Sequence, residues 1–91
     1  MFIVVEHTIT NPKAFWELPK TVQIPQWIKL FQSFPSLSGD RAVCLWETES
    51  VERLKDFLEP LTSPFSRNTY YGVDATRATG LPPMPMIETA A

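Results

Sequence analysis

Apolar and polar residues alternate in four short stretches of the chain, and in two others apolar residues recur at helical spacing. Alternation predicts strands, whereas the 3.6-residue spacing predicts helices. The helices begin at Asn11-Pro12 and at Ser50, and the predicted strands lie at residues 2–9, 27–34, 41–48 and 68–75. The order β-α-β-β-α-β is that of the split βαβ plan, the ferredoxin-like α+β fold.

The first strand carries apolar residues on both faces, which predicts a central position in the sheet. One face holds Phe2, Val4, Glu6 and Thr8, and the other holds Ile3, Val5, His7 and Ile9. Because successive side chains alternate, Glu6 and His7 do not share one compact site. We expect the first and third strands to lie side by side and parallel, with residues 6–8 close to residues 46–48.

Both helices have recognisable ends. Asn11 is a suitable N-cap, and Pro12 is a suitable first helical residue because its missing N–H has no partner there in any case. Pro19 limits the first helix, since an internal proline removes a backbone hydrogen bond. Whether residues 12–26 form one helix or two stays open. The second helix, residues 50–61, carries an apolar stripe that predicts core packing, and we expect Pro60 and Pro64 to end it.

A change in composition separates a single domain, residues 1–78, from a proline-rich C-terminal arm, residues 79–91. Proline fixes φ and has no N–H, so the arm is neither a helix nor a central strand. Two interpretations stay open. Either the arm is a disordered tail, or its apolar residues pack across a partner subunit; these are Leu81, Met84, Met86 and Ile87.

Charge and cysteine content exclude several classes of protein. The formal net charge is −2 and no run of Lys or Arg occurs, so the chain lacks the positive field that nucleic-acid binding requires. No apolar stretch approaches the roughly 20 residues of a membrane span, and no secretory leader is visible. The single cysteine, Cys44, cannot form an internal disulfide. We therefore predict a cytoplasmic protein with no nucleic-acid or membrane partner.

Size and aromatic content predict self-association. The chain has 91 residues, of which 12% are aromatic. A domain of this size buries only about 60–65% of its unfolded surface and is marginally stable alone. We therefore predict a homodimer in which part of the aromatic surface covers a second copy.

Three segments resemble small bacterial proteins of the dimeric α+β barrel superfamily, namely residues 2–8, 42–52 and 68–74. The similarity extends over roughly residues 1–80 and points to an uncharacterised branch of the superfamily. It implies a four-stranded antiparallel sheet, two helices on one face, and a dimer formed sheet against sheet. The superfamily includes cofactor-independent monooxygenases, haem-degrading enzymes, chlorite dismutases, stress-response proteins and metal-associated proteins. Their functional His lies on or near a helix, whereas the only His here lies in a strand, so we expect no haem and no other cofactor.

Few polar residues in the strands are candidates for chemistry. His7 and Tyr70 are the candidates for a catalytic role, since imidazole titrates near neutral pH. Alternatively, His7 is a half-buried strand residue bonded to a neighbouring side chain. Cys44 lies among apolar residues, where a thiol behaves as a small hydrophobe. His7 and Glu47 are weak candidates for metal ligands, because zinc needs three or four ligands and no ligand spacing is present.

The aromatic residues predict a pocket between the helices and the sheet for a flat, apolar ligand. Its predicted lining is Trp16, Trp27, Trp46, Glu47, Tyr70 and Tyr71. Three functions stay open. We favour a non-catalytic, stress-type or binding homodimer, because no catalytic constellation is visible. The alternatives are a cofactor-independent monooxygenase-like enzyme around His7, Trp46 and Tyr70, and a transition-metal-binding protein.

Overall fold

The computed structural model describes residues 1–83 and contains six elements in the predicted order. They are β1 (Phe2–Ile9), α1 (Pro12–Thr21), β2 (Lys29–Pro35), β3 (Arg41–Glu47), α2 (Val51–Thr62) and β4 (Ser66–Gly72). The strands form one antiparallel sheet in the order β2-β3-β1-β4. The prediction of a ferredoxin-like α+β fold is confirmed.

The pairing of the two central strands corrects one expectation. β1 and β3 are antiparallel, not parallel. The connection through α1 makes β2 run in the same direction as β1, and the β2–β3 hairpin then reverses the chain before β3 enters between them. His7 therefore lies opposite Ala42, and Glu47 lies opposite Phe2 at the other end of the strand. Residues 6–8 and 46–48 do not meet.

Both helices cover the same face of the sheet. Leu54 and Leu58 of α2 belong to one buried cluster, and Phe15 of α1 belongs to a second. On β1 this covered face consists of side chains that are at most 5% exposed, namely Ile3, Val5, His7 and Ile9. The predicted division of β1 into two faces is thus confirmed, and His7 lies on the side of the helices.

The predicted helix starts are confirmed, but the ends differ. The side chains of Asn11 and Ser50 each accept a backbone N–H from the first turn of their helices. Pro19 lies inside α1 and Pro60 inside α2. Helix α2 ends at Thr62, so Pro60 does not end it, whereas Pro64 follows its end as predicted. Each proline lies among the last three residues of its helix, so each helix continues for only two residues beyond it. Within residues 22–28 no second helix follows α1.

The other face of the sheet, which we call the open face, carries exposed apolar side chains. Phe34, Val43 and Tyr71 are 63%, 42% and 53% exposed. Residues 73–81 pass beside this face and border a groove of about 400 Å³. Leu81 from this segment and Leu45 of β3 are among the residues that line the groove. Leu81 thus lies beside the sheet of its own chain, whereas Met84, Met86 and Ile87 lie outside the described residues.

Candidate ligand-binding site

An apolar cavity of about 180 Å³ lies between the two helices and the covered face of the sheet. Both α1 and α2 contribute side chains to it, and β3 contributes Trp46. Ile24 and Leu30 remain 44% and 42% exposed, so they mark its opening to solvent. The apolar lining consists of Phe15, Trp16, Leu18, Pro19, Val22, Ile24, Leu30, Trp46, Phe57, Leu58 and Leu61.

The polar lining of the cavity is sparse and uncharged. It consists of His7, Ser33, Cys44 and Thr62. No Asp, Glu, Lys or Arg belongs to the lining within residues 1–83. An uncharged interior of this kind favours ligands that do not need a counter-charge.

His7 is held by a network of side chains from β4 and α2. Its Nδ1 lies 2.6 Å from Oδ1 of Asn68. The amide nitrogen of Asn68 donates to Oε2 of Glu59 at 2.9 Å and to Oγ1 of Thr62 at 2.7 Å. Because those bonds fix the orientation of the amide, Oδ1 must accept, so Nδ1 of His7 carries the proton. Nε2 is then the unprotonated nitrogen of the neutral ring.

Burial keeps the His7 ring neutral. Desolvation lowers the pKa of His7 below its usual value of 6.5, although Asn68 and Glu59 act in the opposite direction. The ring packs edge-on against Phe15, with 5.1 Å between the ring centroids. His7 is therefore a fixed, uncharged group at the cavity wall at neutral pH.

Glu59 and Tyr70 complete this network outside the cavity. The Tyr70 hydroxyl donates to Oε2 of Glu59 at 2.5 Å. This bond is the main cause of the lowered pKa of Glu59. The pKa of Tyr70 is raised well above its usual range. Burial is the largest cause and the hydrogen bond to Glu59 is the second. At neutral pH the pair is thus a carboxylate and a protonated phenol that orient Asn68.

Cys44 lines the cavity in an unreactive form. Its Sγ donates to the hydroxyl of Ser33 at 3.6 Å, and the residue is 6% exposed. Burial raises the pKa of the Cys44 thiol. Since the thiolate is the nucleophile, Cys44 lacks the activation that a catalytic cysteine needs.

The structure brings together three of the residues that the sequence singled out, namely His7, Trp16 and Trp46, which all line the cavity. Trp16 also donates from its indole nitrogen to the carbonyl oxygen of Gly39 at 2.8 Å, which ties α1 to the β2–β3 turn. This bond fixes the orientation of one cavity wall.

The other predicted pocket residues lie elsewhere. Trp27 is 45% exposed and carries the guanidinium of Arg53 at 4.2 Å from its ring. Glu47 lies near the terminal ammonium of Met1 at 3.4 Å. Tyr71 is on the open face. Tyr70 is on the covered face but is held by α2 and does not line the cavity.

The two weak metal candidates are far apart. His7 and Glu47 lie at opposite ends of the β1–β3 pair and on opposite faces of the sheet. Within residues 1–83 no cluster of three or more His, Cys, Asp or Glu side chains could hold a metal ion.

Several functional residues were not identified from the sequence. Glu59 was absent from the predicted site, yet it anchors Asn68, and Phe15 supports the His7 ring. The signal for Asn68 was the antiparallel neighbour relation of β1 and β4, which places Asn68 directly opposite His7. The signal for Glu59 was its position one helical turn before Thr62 on α2.

A larger groove of about 880 Å³ lies at the end of the sheet and is bordered by charged side chains. Arg41 and Arg67 both lie opposite Thr8 on the strands that flank β1, and Glu6 lies two residues earlier. Positively and negatively charged side chains therefore lie together at one end of the open face.

No protein-family model, no curated protein and no solved structure matches this chain significantly. The small α+β fold with its antiparallel sheet is therefore established by the structure alone. No helix within residues 1–83 combines the length and the apolar character that a membrane span requires.

Proposed function

We propose that this protein is a non-catalytic binding protein that holds a small, largely apolar molecule between its helices and its sheet. The observation that carries the proposal is the cavity of about 180 Å³ with an uncharged, mainly apolar lining. Apolar surface that enters such a site leaves water, which is favourable. A cavity of about 150 Å³ accommodates benzene, so the volume here suits a molecule with one ring.

The state of the polar lining supports binding rather than catalysis. The thiol of Cys44 is protonated, and the neutral His7 ring is held by Asn68. The carboxylate of Glu59 points to Tyr70 and Asn68 outside the cavity. General acid–base catalysis needs a titratable group that exchanges a proton with the ligand. Besides His7, the lining within residues 1–83 holds only the Cys44 thiol, whose pKa is raised by burial.

The binding function can be tested by titrating the protein with toluene while the methyl signals of Leu18 and Leu58 are followed by NMR. We expect saturable shifts that are confined to the cavity. Val22→Phe fills the cavity and should abolish them. Val43→Phe, the same change on the open face, is the matched control and should preserve them. Absence of saturable shifts in the unmodified protein would overturn the proposal.

We further propose that two copies associate through their open faces, as in the dimeric α+β barrel superfamily. Phe34, Val43 and Tyr71 form an exposed apolar surface there. The same face carries the negative charge of Glu6 and the positive charges of Arg41 and Arg67. A twofold-related copy offers an apolar surface and opposite charges to such a face. On this proposal the chain is a bacterial, cytoplasmic member of the superfamily.

Light scattering of the unmodified protein at micromolar concentration tests the dimer. Val43→Asp places a charge in the proposed interface and should give a monomer. Leu37→Asp introduces the same charge at a fully exposed turn position and should leave the dimer intact. A monomeric unmodified protein would contradict the proposal.

One observation favours a second candidate, a cofactor-independent monooxygenase-like enzyme. The unprotonated Nε2 of His7 has no hydrogen-bond partner within residues 1–83, and His7 lines the cavity. A neutral imidazole in that position can accept a proton from a bound phenol. Oxygen consumption with a one-ring hydroquinone that His7→Gln abolishes would support the enzyme. Equal consumption with both proteins would exclude it.

A further inference from the structure

Three exposed, charged side chains lie at one end of the open face, beside the groove of about 880 Å³. Arg41 of β3 and Arg67 of β4 are both directly opposite Thr8, so Thr8 lies between them on the same face of the sheet. Glu6 precedes Thr8 by two residues on β1 and therefore shares this face. The Cα atoms of the two arginines are separated by two strand spacings, about 10 Å, with Thr8 at the centre.

None of these three charges takes part in an ion pair within residues 1–83. Glu6 accepts only a hydrogen bond of 3.3 Å from the hydroxyl of Thr69. The carboxylate of Asp40, which precedes Arg41 in the sequence, accepts from two hydroxyl groups of the β2–β3 turn. This end of the open face therefore presents one negative and two positive charges that the described part of the chain does not pair.

The opposite end of the open face is partly covered by the chain itself. Residues 73–81 pass beside it, and Leu45, which lies there opposite Val4, is only 7% exposed. Phe34 and Val43 lie nearer to the charged end, level with Glu6 in the register, and both remain exposed. The charged end, with this apolar border, is therefore the more accessible part of the face.

We infer that two copies associate through this end of their open faces, with Glu6 of each copy between Arg41 and Arg67 of the other. The inference rests on the proposed dimer and adds the position of its twofold axis. The axis lies between the two sheets, perpendicular to β1 and above the midpoint between Glu6 and Thr8. Rotation about it makes the two β1 strands antiparallel and brings Glu6 of each copy over Thr8 of the other. Because the interface is isologous, the same charge cluster forms twice.

A second copy suits this surface better than a small anion does. An anion bound between the arginines would be repelled by Glu6, which is only about 7 Å away along β1. In the dimer that carboxylate is instead the group that the arginines of the other copy bind, and guanidinium groups bind carboxylates through two parallel hydrogen bonds. Burial of Phe34 and Val43 in the interface lowers the local dielectric constant, which strengthens the ion pairs.

Two variants that separate the charges test the inference. Glu6→Arg leaves only positive charges in the proposed contact, whereas the double variant Arg41→Glu/Arg67→Glu leaves only negative ones. Like charges then face each other twice, so each variant alone should have its dimer dissociation constant raised about a hundredfold or more. An equimolar mixture of the two should form a 1:1 heterodimer, which native mass spectrometry distinguishes from either homodimer by its mass.

Glu17→Arg is the matched control, because it reverses an exposed carboxylate on α1, which covers the other face of the sheet. This variant should dimerise as the unmodified protein does. The salt dependence of the unmodified dimer is a measurement that does not depend on a variant that folds. Because salt screens ion pairs, its dissociation constant should rise severalfold between about 0.05 M and about 0.5 M NaCl.

The outcomes separate the two levels of the proposal. An unmodified dimer that Glu6→Arg weakens no more than Glu17→Arg does, or whose dissociation constant does not rise with salt, would overturn the inference and leave the dimer standing. Folded variants that stay monomeric after mixing would also overturn the inference, since their charges would then not meet across the interface. A monomeric unmodified protein would overturn the proposed dimer and the inference with it.

Discussion

Nδ1 of His7 and Oδ1 of Asn68 lie 2.6 Å apart across the β1–β4 pair. This contact fixes the tautomer of the only histidine and connects the cavity wall to the carboxylate of Glu59 through the Asn68 amide. The consequence is a histidine that is oriented by its neighbours yet kept neutral by burial. Its protonation should therefore be visible in the stability of the whole domain.

Acidification below about pH 6.5 should destabilise the protein. The pKa of His7 is lowered in the folded state, so the unfolded chain binds more protons once the pH falls below about 6.5, and stability then decreases. The lowered pKa of Glu59 affects stability only at more acidic pH. Urea unfolding at several pH values measures the slope, and His7→Gln should flatten it. A slope that persists in the variant would contradict this assignment.

Tyr70→Phe should lower the free energy of unfolding by about 1 kcal/mol, because it removes the hydrogen bond to Glu59. Tyr71→Phe, the same change at the exposed neighbour, should have almost no effect. Alkaline conditions add a second test. The raised pKa of Tyr70 means that only the unfolded chain releases this proton near pH 10, so stability should fall there, and less steeply in Tyr70→Phe.

Gly39→Ala should destabilise the β2–β3 turn by about 1–2 kcal/mol, since Gly39 has φ of +79° and a side chain is strained there. The new Cβ would also lie 3.4 Å from the indole nitrogen of Trp16. Gly80 has φ of +88° with open space around it, and residues 73–83 can relieve strain without opening the core. Thermal unfolding of Gly80→Ala is therefore the control, and equal losses would contradict the role of the turn.

Leu54→Ala should cost about 2–5 kcal/mol, which is the range for a large core side chain. Leu54 is fully buried against β1 and β3. Leu37→Ala, the same change at a fully exposed turn residue, should stay within about 0.5 kcal/mol of the unmodified protein. Urea unfolding of both variants makes the comparison.

Cys44 should react slowly with a thiol reagent in the folded protein and at the rate of a free thiol in urea. Both its burial and its raised pKa reduce the thiolate available for reaction. Rapid labelling under native conditions would show that the cavity region opens easily.

The sequence predicted the elements of this fold because each has a local cause. The caps at Asn11 and Ser50 and the alternation along β1 depend only on neighbouring residues. The direction of β3 relative to β1 depends instead on the connection through α1, which keeps β2 in the direction of β1, and on the reversal at the β2–β3 hairpin. That error placed Glu47 beside His7, where the antiparallel register puts Ala42.

The site was predicted less completely because a cavity depends on the packing of several elements. The sequence identified Trp16, Trp46 and His7, but no local pattern distinguishes them from Trp27, which lies at the surface. The network through Asn68 and Glu59 joins β4 to α2. Its members are separated in sequence and meet only once the helix has packed on the sheet.

Strand β1 separates the covered face of the sheet from the open face, and its side chains project alternately to the two faces. Val5 and His7 face the helices, while Val4 and Glu6 face the other side. Insertion of a single residue in this strand would exchange the two sets, so that the cavity would lose its histidine and the opposite surface would gain it. A substitution on one face can therefore leave the other face unchanged, whereas a change in strand length alters both faces.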